Sequence, residues 1–269
     1  MLHRVTSAAN PSVKLLKSLA SKKGRQETGL FLAEGARLAH EAAELGFWPE
    51  IMLISESVLD RPYAARLAEG AQLAGARVIA ASERVLEQIA RRENPQAVIG
   101  AYRQRWAEPD ALLQSDLCVA LNEVRDPGNL GTILRTCDAV GAGGAILIGN
   151  CCDPFSVEAV RASMGSIFAA PVARASFEEA NAARKARGAD LIGTSLKGHT
   201  PHDAPKADNP ILLMMGNEQA GLPPELEDAC DELVRIPMRG HADSLNLAAA
   251  TAIMLYDIWR RRGYAGARS

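Results

Sequence analysis

Apolar positions along this chain follow two rhythms. In the first hundred residues, short apolar runs alternate with stretches of helical spacing. LFLAEG (30–35), EIMLIS (50–55) and ARVIAA (76–81) read as strands, ARLAHEAAELG (36–46) and SERVLEQIARRE (82–93) as helices. Asn10 followed by Pro11 is a helix-start signal, and Val13, Leu15, Leu16 and Leu19 then supply an apolar face. These elements make a small α/β domain. The polar stretch from Tyr102 to Asp116 contains Pro109 and fits neither rhythm, which predicts a boundary there: a first domain over 1–106, a linker over 107–115 and a second domain over 116–269.

Beyond that boundary the apolar runs become continuous. DLCVALNEV (116–124), GAILIG (144–149), DLIGTSL (190–196), ILLMMG (211–216) and ELVRIPM (232–238) read as strands buried on both faces. The segments TILRTCDAVG, SVEAVRASMGSI, FEEANAARKARG and PPELEDAC supply helical covers, so an open, mostly parallel sheet is expected. Ser244 reads as the N-cap of a last helix running to Arg262, with Leu245, Leu247, Ala248, Ile253, Leu255 and Ile258 on its apolar face.

Composition adds little until charge is located. The formal net charge is -2, yet Arg4, Lys14, Lys17, Lys22, Lys23 and Arg25 all precede the first acidic residue, Glu27. That arm is a candidate phosphate contact, and equally a solvated helix face. An aromatic content of 4% argues against a base-stacking platform. Five cysteines without a CxxC pair fit neither a disulfide framework nor a metal site, and a reduced cytoplasm is expected. No apolar run approaches the ~20 residues of a membrane helix.

Loops after strands of a parallel sheet are where ligands bind. The first such loop, RDPGNLG, carries Arg125, Asp126 and Asn129, with Arg135 further on; by itself it is also plain turn chemistry. The second, GNEQAGLPPEL, brackets Asn217 and Glu218 between Gly216 and Gly221, where glycine allows positive φ and close backbone approach. The third, MRGHADSLN, brings Arg239, His241, Ser244 and Asn246 to a helix N-terminus. A dinucleotide GxGxxG, a Walker loop and a GxSxG elbow are all absent.

In order, DPGNLGTILRT, GNEQAGL and IPMRGHADSLNLAAATAIMLYD closely resemble the three motifs of the SpoU (TrmH-like) branch of the SPOUT methyltransferases. NPSVKLLKSLASKKGRQETGLFLAEGARLAHEA also resembles that family's substrate-binding domain, an α/β sandwich related to ribosomal RNA-binding proteins. The resemblance implies a C-terminal SPOUT α/β domain with a deep trefoil knot, S-adenosylmethionine as cofactor, and a homodimer built through the catalytic domains. It implies methyl transfer to a ribose 2′-hydroxyl of RNA, with ribosomal RNA favoured over transfer RNA. The alternatives are a non-catalytic RNA-binding or ribosome-assembly protein of the same fold, and a base-methylating SPOUT enzyme.

Carried over by residue, the cofactor pocket falls on Thr194, Ser195, Leu196, Gly216, Asn217, Glu218, Gly221, Ile236, Met238, Ser244, Leu245 and Asn246. The catalytic group falls on Asn129, Arg135, Glu218, Ser244 and Asn246, and RNA contacts on Lys14, Lys17, Lys22, Lys23 and Arg25. Gln219 stands where many relatives have Gly, and LAAA replaces a commoner Val and Ser pattern after Asn246. A sulfonium methyl is already activated, so the chemistry requires alignment and charge stabilisation but no metal. The resemblance gives Arg135 the role of activating the hydroxyl, as a base or by stabilising the developing alkoxide; the second is preferred, since a guanidinium is effectively always protonated.

Overall fold

Nothing in the short strand LFLAE says where it will sit in a sheet; that is settled by which faces the helices cover. The computed structural model describes residues 3–7, 9–203 and 208–267, and its chain divides into two compact units. One comprises residues 1–104 and 155–168, the other 105–154 and 169–269.

The first unit runs β1 (His3–Val5), α1 (Pro11–Ser18), α2 (Lys22–Thr28), β2 (Leu30–Glu34), α3 (Ala36–Glu44), β3 (Ile51–Ser55), α4 (Pro62–Leu73), β4 (Arg77–Ala81), α5 (Glu83–Ala90) and β5 (Val98–Arg103). Its sheet has the order β1-β4-β3-β5-β2, with β5 antiparallel to both neighbours. Successive residues of β3 point to opposite faces. Ile51 and Leu53 join the cluster containing Leu16 of α1, Leu19 just beyond it, and Leu86 and Ile89 of α5, while Met52 and Ile54 join Ala39 of α3 and Leu67 and Ala71 of α4. The result is a three-layer α/β sandwich. Asn10 caps α1 as its sequence suggests, its Oδ1 accepting from Ser12 N at 2.9 Å. The helix α4 carries no strong periodic signal and is not anticipated from the pattern.

The second unit contains β6 (Trp106–Ala107), α6 (Pro109–Leu112), β7 (Leu117–Asn122), α7 (Pro127–Val140) and β8 (Ala145–Ile148). The next helix, α8 (Val157–Ser163), belongs to the first unit. The second unit resumes with β9 (Val172–Ala175), α9 (Phe177–Arg187), β10 (Asp190–Thr194), β11 (Thr200–Pro201), β12 (Ile211–Met215), α10 (Pro224–Ala229), β13 (Glu232–Arg235) and α11 (Leu247–Arg261). Among the described residues its sheet has eight strands in the order β11-β13-β10-β12-β7-β8-β9-β6, every pairing parallel.

Three expectations are corrected. The stretch 107–115 is folded structure: β6 pairs with β9, and α6 buries Leu112 in the second core. The segment 155–168 does not cover the parallel sheet. Phe155 and Phe168 pack on Phe31 at 5.0 and 5.7 Å, and Arg161 pairs with Glu34 at 2.7 Å, all within the first unit. Finally, Asn246 and not Ser244 caps α11, its Oδ1 accepting from Ala248 N at 2.9 Å and Ala249 N at 3.2 Å.

Candidate functional site

The strands β7 and β12 lie side by side, but the chain leaves them in opposite directions across the sheet, β7 towards β8 and β12 towards β13. Such a switch point opens a crevice beyond the carboxyl ends of the two strands. The loops that follow β7, β12 and β13 carry the polar groups of the site.

After β7 the backbone turns sharply, with Glu123 in the left-handed region at φ 52°. This frees the Glu123 carbonyl to accept from Asn217 Nδ2 at 2.8 Å. The segment that reads as a turn, Asp126 to Gly128, is the start of α7: Pro127 is its first residue, and Asp126 caps it by accepting from Asn129 N at 2.6 Å. Asn129 is therefore held on a helix, at its N-terminal end.

After β12 the chain closes a small ring in which Asn217 and Gly221 exchange backbone hydrogen bonds, both at 3.0 Å. Gly221 has φ +69°, as its sequence context suggests. Gly216 is required for a different reason: a Cβ there would sit 2.2 Å from the Gly221 carbonyl carbon, so the constraint is the chain's own close approach. Asn217 Oδ1 holds the ring by accepting from Gln219 N and Ala220 N at 2.9 and 3.0 Å.

This ring aims Glu218 across the switch point. Its Oε1 accepts from Asp126 N at 3.0 Å and Asn129 Nδ2 at 3.2 Å, and its Oε2 from Arg125 N at 3.2 Å and Asn217 Nδ2 at 3.4 Å. Partial burial works against the charge on Glu218, but the Asp126 and Arg125 backbone N–H groups and the Asn129 amide outweigh it. The pKa is lowered from the usual carboxylate value. Asn129 Oδ1 in turn accepts from Asn246 Nδ2 at 2.9 Å, and Asn246 caps α11. A continuous chain, Glu218 to Asn129 to Asn246, thus ties together all three sequence motifs.

Beside this chain lies a cavity of about 410 Å³. Its walls include Thr194, Ser195 and Leu196, Gly216, Asn217, Glu218 and Gly221, and Ile236, Met238, Ser244 and Leu245, all named from sequence. Asn246 does not line it, nor do Asn129 and Arg135. Arg135 lies on the exposed face of α7 and makes no hydrogen bond or ion pair among the described residues.

Lys197, Glu227, Met215, Leu222 and Leu247 also line the cavity and were not singled out from sequence. Met215, Leu222 and Leu247 read only as core, and Glu227 as one of several acids in a short helix. Thr194, in the cavity wall, has its Oγ1 shut off from solvent without a hydrogen-bond partner among the described residues. The volume and the mixed apolar and polar walls suit a nucleoside-sized ligand.

Burial, together with the Cys151, Glu218 and Asp126 side chains, pushes the Cys152 thiol up to about 12, so it stays neutral. Of the basic arm, Lys14, Lys22 and Lys23 are exposed and Lys17 is half-buried, its Nζ near Gln88 Oε1 at 3.5 Å. Arg25 is different. It is buried and its Nη1 donates to the Leu19 carbonyl at 2.9 Å, so it ties α2 to the end of α1.

A family model described as the SpoU rRNA methylase family matches residues 116–256, and one described as the MRM3-like substrate binding domain matches residues 10–100. The 23S rRNA (guanosine(2553)-2'-O)-methyltransferase RlmP of Bacillus subtilis is 31% identical over 96% of this chain and 99% of its own. The 23S rRNA (uridine(2479)-2'-O)-methyltransferase of Streptomyces viridochromogenes is 32% identical, over 91% and 87% respectively. The crystal structure of an AdoMet-bound rRNA methyltransferase from Sinorhizobium meliloti superposes with a TM-score of 0.90 at 44% identity, covering 97% of this chain and 98% of that one.

Proposed function

The chain belongs to the SpoU rRNA methylase family, and from that premise we propose that it transfers the methyl group of S-adenosylmethionine to a ribose 2′-hydroxyl of ribosomal RNA. The observation that carries this reading is the convergence of three loops, through Glu218, Asn129 and Asn246, beside a cavity whose wall includes Thr194, its hydroxyl without a partner among the described residues.

When bound, the cofactor supplies a methyl group activated by a positive sulfur. The residues to hold it are Thr194, Ser195 and Leu196, the ring Gly216 to Gly221, and Ile236, Met238, Ser244 and Leu245. Glu218 is spent on structure: its lone pairs are taken by the first motif's backbone and by Asn129 and Asn217, so it locks two loops together and leaves proton transfer to other groups. Asn129 and Asn246 act as positioning residues, because both polar ends of the Asn129 amide are engaged. Arg135, one helix face away and without a partner of its own among the described residues, has its charge free for the hydroxyl as it becomes an alkoxide.

The same reading gives the second unit a deep trefoil knot. It is supported by the insertion of β12 between β10 and β7 and by the return of α11 onto α7. A homodimer through this unit is supported by Ile253 and Tyr256, apolar side chains that α11 leaves 37% and 45% exposed. The first unit serves as the RNA-binding domain, with Lys14, Lys17, Lys22 and Lys23 on α1 and α2 as its phosphate contacts. Five free cysteines suit a reduced cytoplasm.

The test is methyl incorporation into ribosomal RNA by the purified protein, with nuclease digestion to identify the methylated nucleoside. A 2′-O-methylated product is expected; a methylated base would overturn the reaction assigned. Arg135→Ala is expected to abolish incorporation while retaining cofactor binding, and near-normal incorporation would remove Arg135 from the chemistry.

A further inference from the structure

The cavity has a second polar corner, at the end of β10, built differently from the first. Glu227 reaches it from α10 with its side chain only 10% exposed. Its Oε1 accepts from Ser195 Oγ at 2.7 Å and its Oε2 from Lys197 Nζ at 2.9 Å. Ser195 Oγ also accepts from Lys197 N at 3.2 Å, which fixes the direction of its own proton towards Glu227. All three residues line the cavity, as does Thr194, whose hydroxyl has no partner among the described residues.

Glu218 and Glu227 differ in what they have left to give. Four donors occupy Glu218. Glu227 receives two, and an ionised carboxylate offers about four lone-pair sites, so it has acceptor capacity left at the cavity wall. The Ser195 hydroxyl and then Lys197 hold its pKa below the usual carboxylate value, which keeps it an acceptor only at neutral pH. Lys197 already balances the charge. A ligand's ammonium would compete with Lys197 for the same oxygens, and a ligand's carboxylate would be repelled by Glu227. Neutral hydroxyl donors meet neither obstacle, and two on adjacent carbons match two carboxylate oxygens. A carboxylate receiving ribose hydroxyls is a recurrent solution in nucleotide recognition.

We propose that Glu227, positioned by Ser195 and Lys197, recognises the ribose diol of the adenosyl cofactor and so sets the pocket's preference for a ribonucleoside. This rests on reading the cavity as the cofactor pocket. It assigns to α10 a task that its sequence, a short acidic helix start, does not announce.

The experiment is calorimetric titration of the full chain with S-adenosylhomocysteine and with its 2′-deoxy analogue. Wild type is expected to bind the ribo form about tenfold more tightly, the scale of one hydrogen bond to a charged group. In Glu227→Gln the ribo form is expected to weaken by a similar factor while the deoxy form changes little, so that the ratio approaches one. An unchanged ratio in Glu227→Gln, or equal weakening of both ligands, would overturn the proposal and leave Glu227 a purely structural group. Ser195→Ala removes the hydroxyl that positions Glu227 and reads the same ratio should the first variant fail to fold; it too is expected to narrow the ratio, and an unchanged ratio there overturns the proposal. Failure of wild type to bind either ligand would instead refute the pocket reading itself, and this inference with it.

Discussion

The carboxylate of Glu218 is held ionised by the Asp126 and Arg125 backbone N–H groups and the Asn129 amide against the opposing effect of burial, and that makes it a contributor to acid sensitivity. Its folded pKa lies below the ordinary value of 4.5, so the stabilisation it contributes is fully present above that value and is lost as pH falls through the folded pKa. Glu218→Gln is therefore expected to melt lower than wild type near neutrality, and the gap should shrink as pH falls below the ordinary value of 4.5 and through the folded pKa. Melting temperatures measured across that range check this; a constant gap would mean the variant acts through packing alone. At this scale the sequence was partly legible. Two glycines around Asn217 and Glu218 pointed to positive φ or close backbone approach, and the structure shows the first at Gly221 and the second at Gly216. That Glu218 reaches another motif was not legible, since it depends on β12 lying beside β7, with Ile211 opposite Leu117; nor was the burial of Arg25, which looks like any other basic residue in its arm.

Helix termini show the same limit one level up. Ser244 and Asn246 are both good caps by residue type, and the chain chooses Asn246, whose Nδ2 also donates to Asn129. Asn246→Ala is thus expected to cost about 1 kcal/mol of stability, the ordinary worth of an N-cap. It should also lower the methylation rate by releasing Asn129. Ser244→Ala should leave the melting temperature within a degree or so, because surface substitutions away from such features change stability little. Thermal melts of the pair decide which residue is the cap. The start of α7 was obscured for a related reason: Asp126, Pro127 and Gly128 are turn formers, and the same residues form an Asp cap and Pro first position. The segment around α8 was assigned to the wrong core because amphipathic spacing states that a face will be buried but not against what. Glu34, 5% exposed, binds Arg92 and Arg161 at 2.9 and 2.7 Å within the first unit. Glu34→Ala is expected to destabilise that unit by about 3 kcal/mol, near the low end for stripping one partner from a buried ion cluster, because both arginines keep partial solvent access. A urea midpoint unchanged from wild type would reduce the cluster to a surface feature.

At the scale of the whole molecule, periodicity delivered the central strands of the second sheet and their parallel character, but not α4 or the edge strand β9, and not the strand order. A continuous apolar run reports burial on both faces, and nothing in ILLMM says that it will enter the sheet between β10 and β7. Charge behaves likewise, because a net charge of -2 conceals a basic arm whose members have different fates. Lys14, Lys22 and Lys23 face solvent and Lys17 is half-buried, while Arg25 is spent inside. If the arm contacts RNA phosphates, replacing the four lysines by Gln should reduce the number of counterions released on binding. With a slope of roughly 0.7 per contact for single-stranded RNA, the plot of log affinity against log salt should become less steep by up to about 3. Lys23 also pairs with Glu27 at 3.8 Å across exposed side chains, which competes with phosphate and places the expected change below that ceiling. Arg25→Gln separates charge from structure: it should lower the melting temperature through loss of the Leu19 carbonyl contact while leaving the salt slope of the folded protein unchanged. A quadruple variant with the wild-type slope would return α1 and α2 to the role of a solvated helix face, and the RNA contact would have to be sought on another surface.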